Sequence, residues 1–179
     1  MSMITLYITA FCHIVIGLVF LFSSVSKAVR LAQFKQTITD FHVLPSKLSS
    51  LTAFLLLLGE FSVVILMAIG GDLLLPGFIL ASTLLIIFCS ALVSVLLRRL
   101  HTSCNCFGIN NKPVTVSDLW RNLGFVSCAL GGCIVQTWLP STREILGGLE
   151  WILISSTALI FVMIWIQLGE ITQLFTGTK

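Results

Sequence analysis

Five stretches of this chain, at about 6–26, 51–69, 77–97, 119–139 and 149–168, are apolar over the length a lipid bilayer demands. A hydrocarbon core of about 30 Å takes roughly 20 helical residues to cross. Inside that core each backbone N–H and C=O must find its partner within the protein, which a helix achieves along its own length. The expected fold class is therefore all-α, a polytopic transmembrane helical bundle. With 57% of its 179 residues hydrophobic and 9% charged, against about a quarter charged in soluble domains, the chain keeps almost nothing for a soluble domain. No basic residue precedes the first run and Lys27 comes after it, the reverse of a cleaved signal peptide, so this run is expected to stay as a helix.

The connections differ in character. Between the first two runs lie Lys27, Arg30, Lys35 and Lys47 interleaved with Leu31, Phe34, Ile38 and Phe41, a spacing that suits an amphipathic helix at the membrane interface ending before Pro45. Gly70-Gly71-Asp72 and Pro76-Gly77 make a short turn, which predicts that the second and third spans form an antiparallel hairpin. The third connection, 98–118, is polar, and Thr115 or Ser117 is placed to cap the span that follows. The fourth, 140–148, is again short, and no internal repeat is evident.

If the spans alternate, Lys27, Arg30, Lys35, Lys47, Arg98, Arg99, Lys112, Arg121 and Lys179 gather on one side and Arg143 stands opposite. The positive-inside rule then predicts a multi-pass protein of the cell membrane, its N-terminus outside and its third connection cytoplasmic. The net charge of +3 is thus a signal of topology, and no nucleic-acid partner is expected; the lipid bilayer is the first partner.

The sharpest chemical signal lies in that third connection, as Cys104-Asn105-Cys106-Phe107-Gly108. Two cysteines one residue apart can close a very small disulfide ring, strained and therefore readily reduced, as a transfer disulfide must be. Gly108 lets the backbone turn sharply after the pair. A second reading is capture of a soft metal by Cys104 and Cys106 with His101, although the spacing fits no standard four-ligand zinc site. Cys12, Cys89, Cys128 and Cys133 fall inside apolar runs, where a thiol ordinarily behaves as a small hydrophobe. By helical rise Cys89 and Cys128 are expected roughly 12–15 Å below the side of the third connection, with Cys12 and Cys133 nearer the other face.

Glu60, near the middle of the second run, costs about 3 kcal/mol or more to insert into a membrane and needs a partner or a proton. Lys27 is the nearest base, but about 13 Å away in depth by helical rise, so direct pairing requires the first helix to sit deeper than its apolar run suggests. His13 is expected to bond Glu60 or a backbone carbonyl. Gly124, Gly131 and Gly132 are expected to permit close helix packing.

Taken together, FLFSSVSKAVRLAQFKQTITDFHVLP, LLLLGEFSVVIL and CNCFG resemble the MauE/DoxX-like redox-associated membrane proteins over roughly 5–139. The matching points are Lys27 after a serine-rich helix end, Leu44-Pro45, Glu60, and Cys104-x-Cys106-Phe107-Gly108. The resemblance implies a four-helix membrane domain over 1–139 with its C-x-C loop at 101–112, linked to disulfide chemistry. It also implies a thioredoxin-like partner and a role in maturing the disulfide-rich small subunit of methylamine dehydrogenase. A fifth transmembrane helix and short tail, 140–179, depart from the expected core, and the cytoplasmic placement of the loop departs from a role in exported disulfides.

The expected function is an integral membrane thiol-disulfide redox protein in which Cys104 and Cys106 form the redox pair, supported by Glu60 and Lys27. It would serve a thioredoxin-like protein or a disulfide-containing client, with no cofactor and no resident metal. The alternatives are a soft-metal transporter using Cys104, Cys106 and His101, and a non-catalytic assembly subunit of an oxidoreductase.

Overall fold

The computed structural model describes residues 3–40, 46–98, 116–138 and 147–176. They form six α-helices: α1 (Met3–Val29), α2 (Leu31–Asp40), α3 (Ser46–Ile69), α4 (Leu74–Leu97), α5 (Val116–Trp138) and α6 (Gly148–Thr176), with one 3-10 turn at Gly71–Leu73. Segments of α1, α3, α4 with its preceding turn, and α6 are long and apolar enough to cross a membrane. Helix α5 is more polar, carrying Asp118, Arg121, Asn122 and Gln136, yet it packs against α1, α4 and α6 within the same bundle. The chain is a multi-pass helical membrane protein.

Helix α1 is the axis of the bundle. It packs against α3, α5 and α6, while α3 with α4, α4 with α5, and α5 with α6 close an arc around it. Its inward stripe of Cys12, Val15, Ile16, Val19 and Phe20 meets Val63 and Met67 of α3, Phe125 and Ala129 of α5, and Ala158 and Val162 of α6 in one core. The outward faces stay apolar, as at Phe54, Leu58 and Ile65; in lipid such a surface is solvated, and helix association rests on close packing and interhelical hydrogen bonds instead. Helix α6 therefore shares the core rather than trailing from it: Phe161 meets Phe11 with ring centroids 5.5 Å apart, and the Trp165 indole N–H donates to the Arg121 carbonyl at 3.2 Å.

The hairpin between α3 and α4 forms as the glycine pair predicts. Gly70 and Gly71 both hold positive φ, at 70° and 62°, a conformation that costs other residues more. The Gly70 N–H donates back to the Leu66 carbonyl at 3.1 Å and so closes the end of α3. Along α5 the three glycines differ: a Cβ on Gly132 would meet the Phe78 ring at 2.4 Å and one on Gly124 the Trp165 ring at 2.7 Å, whereas Gly131 faces open space. The expectation of close packing thus applies to two of the three.

Candidate functional site

Helix α3 presents Ala53, Leu57, Glu60, Val63 and Met67 to the interior, a stripe at helical spacing in which only Glu60 is charged. Opposite, α1 ends with Ser23, Ser24 and Lys27 buried; Ser23 and Lys27, four residues apart, share one face. Lys27 Nζ donates to Glu60 Oε1, and each side chain is only 1% exposed. The Ser23 hydroxyl donates to the same carboxylate oxygen at 3.1 Å. Among the described residues Glu60 Oε2 has no hydrogen-bond partner.

The ammonium is also enclosed by aromatic faces, lying 4.1 Å from the Phe88 ring centroid of α4 and 5.1 Å from that of Phe34 in α2. The amphipathic helix α2 thus covers the charge pair with its buried Phe34. Each ring adds an electrostatic attraction that strengthens once water is excluded.

Helical rise alone sets Lys27 and Glu60 at different depths, yet they pair directly. Side chains on a helix slant toward its N-terminus, and α1 and α3 run antiparallel. Lys27 consequently leans into the bilayer while Glu60 leans toward the end where Lys27 sits. Register closes the rest of the axial gap: Gly17 lies level with Met67 and Ser23 reaches Glu60, so α1 sits further along α3 than the bounds of the two apolar runs suggest.

Other polar side chains within the bundle bond elsewhere. His13 Nε2 lies 2.6 Å from the Met67 carbonyl, an acceptor, so this nitrogen carries the proton; of the two expected partners the backbone is the one found. The Asn122 amide donates to the Leu85 carbonyl and to Cys89 Sγ, both at 3.3 Å. Tyr7 donates to Glu150 at 2.7 Å. Neither Asn122 nor the Tyr7–Glu150 pair stands out in the sequence by motif or spacing; a polar residue inside an apolar run, as Asn122 is, was the available signal.

Two of the four cysteines in the apolar runs, expected at different depths, come together. Cys128 lies beside Cys12, with Sγ atoms 3.3 Å apart, where α5 packs against α1. Cys133 faces Ser82 at 3.9 Å.

His101, Cys104 and Cys106 lie outside the described residues. Among the described residues on either side of them, α4 finishes and α5 begins at the end of the bundle that holds Lys27. Phe88, against the Lys27 ammonium, lies roughly 14 Å of helical rise below Leu97. Among the described residues no group of three or more His, Cys, Asp or Glu side chains could hold a metal ion.

Comparison with known proteins adds a family. The family described as "Methylamine utilisation protein MauE" matches residues 5–135. The chain is 28% identical over 171 residues to a protein of Paracoccus denitrificans named "Methylamine utilization protein MauE", covering 93% of this chain and 90% of that protein. No solved structure gives a significant match.

Proposed function

The chain belongs to the MauE family, and from that premise we propose that it is a membrane thiol-disulfide redox protein that supports disulfide formation in a partner through Cys104 and Cys106. The observation that supports the reading is a closed charge pair, Lys27 with Glu60, buried in the bundle and covered by Phe88 of α4, the helix that leads into the stretch bearing the two cysteines. A bundle built only for packing gains little from two desolvated charges, since a buried ion pair is a weak source of stability.

In the proposed reaction a client thiolate attacks one sulfur of the Cys104–Cys106 disulfide and the other leaves as a thiolate. The client's second thiol then displaces the mixed disulfide. The client gains one disulfide, Cys104 and Cys106 become a dithiol, and two electrons and two protons pass from client to loop. A thioredoxin-like protein is the proposed exchange partner. Lys27 and Glu60 act as positioning residues that fix α1, α3 and α4 at the end where the loop is anchored.

The basic residues Arg30, Lys35, Arg98 and Arg121 belong to the same end of the bundle as Lys27, which supports placing that end at the cytoplasmic face and the N-terminus outside.

Trapping tests the function. Cys104→Ser and Cys106→Ser variants are expected to accumulate a mixed disulfide with a thioredoxin-like protein or a client, resolved by reductant. Absence of any mixed disulfide from both variants counts against the proposal, and full activity with both cysteines replaced would favour an assembly subunit.

A further inference from the structure

Cys12 and Cys128, separated by 116 positions in the chain, meet with their sulfurs 3.3 Å apart, and the loop chemistry makes no use of them. Both are free thiols. A covalent bond needs a sulfur separation of about 2.05 Å, so the two sulfurs have roughly 1.3 Å left to close.

The surroundings select the oxidant. Cys128 lies roughly 18 Å of helical rise from Val116 and roughly 15 Å from Trp138, the two ends of α5, and disulfide exchange requires direct contact, so both ends hold an aqueous protein thiol or disulfide away from it. Cys12 is buried, whereas Cys128 is only partly covered, on a helix whose Leu123 and Leu130 are exposed on the bundle's apolar surface. Aromatic rings stand close by: Phe11, next to Cys12, meets Phe161 edge-on, Phe161 stacks on Trp165 with centroids 5.2 Å apart, and Trp165 closes over Gly124 one turn before Cys128. Apolar, ring-rich surroundings of this kind suit a flat, lipid-soluble oxidant rather than an aqueous one.

We propose that Cys12 and Cys128 are a second redox centre, a membrane-embedded dithiol that passes two electrons to a lipid-soluble quinone. One S–S bond forms and two S–H bonds break. The two electrons and two protons convert the quinone to its quinol.

The experiment uses the full chain in lipid nanodiscs with Cys89, Cys104, Cys106 and Cys133 replaced by serine. The protein is reduced, freed of reductant without oxygen and mixed with a short-chain ubiquinone. Alkylatable thiols are counted by mass spectrometry and quinol by absorbance. The expected result is loss of both thiols with one quinol formed per protein, and neither change in Cys12→Ser or Cys128→Ser versions.

A disulfide that forms with diamide but not with the quinone overturns the electron transfer, and no disulfide with either reagent overturns the pair. If the fourfold variant fails to fold, peptide mapping of the quinone-treated native chain decides the same question: a Cys12–Cys128 linked peptide supports the centre and its absence overturns it. The loop cysteines are absent from the main test, so its failure is distinct from failure of the trapping experiment.

Discussion

Replacing Lys27 with methionine removes the ammonium that lies over the Phe34 and Phe88 rings while keeping most of the aliphatic stem. Glu60 is then left with the Ser23 hydrogen bond alone and an Oε2 atom that has no partner among the described residues. Stranding one member of a buried ion pair costs about 3–5 kcal/mol, and with each side chain 1% exposed water cannot offset the loss. Glu60→Gln is expected to cost less, about 2–3 kcal/mol, because the ammonium retains two aromatic faces and an amide oxygen. The double variant Lys27→Met/Glu60→Gln has no stranded charge and is expected to fall within about 1–2 kcal/mol of the native protein. The assay is unfolding in mixed micelles with increasing SDS, followed by circular dichroism for all four proteins. The double variant should be more stable than Lys27→Met alone. Costs that simply add, to within about 0.5 kcal/mol, would mean that the two residues do not interact, against everything the geometry of the pair implies.

Further expectations follow from the packing. Gly132→Ala forces a methyl group against the fully buried Phe78 ring at 2.4 Å and should destabilise the bundle by about 1–3 kcal/mol in the same assay. Gly131→Ala meets nothing within 4 Å and should be neutral or stabilising by up to about 1 kcal/mol; equal losses at the two sites would contradict the α4–α5 register. Asn122→Ala removes two hydrogen bonds between α5 and α4 and should cost about 0.6–2 kcal/mol by the same measurement, the range of interhelical hydrogen bonds in membranes; no measurable loss would contradict it. Phe34→Ala uncovers the Lys27 ammonium and is expected to weaken the bundle by about 2–4 kcal/mol, a loss that should shrink markedly when Lys27 and Glu60 are already neutral.

Hydropathy made most of the bundle legible, because the bilayer sets one length for every crossing helix and excludes unpaired backbone. The same logic marked Glu60 as a residue in need of a partner. Its partner was harder to name, since rise per residue locates backbones, whereas the Lys27–Glu60 bond is made by two long side chains slanting toward each other on antiparallel helices. The covering role of Phe34 was hidden for a related reason: an amphipathic pattern says that one face is apolar, without saying what that face will cover. Cys12 and Cys128 carried no local signal at all. Their meeting depends on how α1 crosses α5, which is set by the whole core from Val15 to Val162. The difference between Gly131 and Gly132 is likewise a matter of helix rotation, which one glycine-rich stretch leaves open.

Cycling of Cys104 and Cys106 between dithiol and disulfide is the step on which the proposed function stands, and their redox state in cells reads it out. A version carrying serine at Cys12, Cys89, Cys128 and Cys133 is acid-quenched, treated with a mass-tagging maleimide before and after reduction, and resolved on a gel. A population that takes up the tag only after reduction, and shifts with added oxidant or reductant, is the expected result. Two thiols that stay fully reactive without reduction under every condition would rule out the cycle.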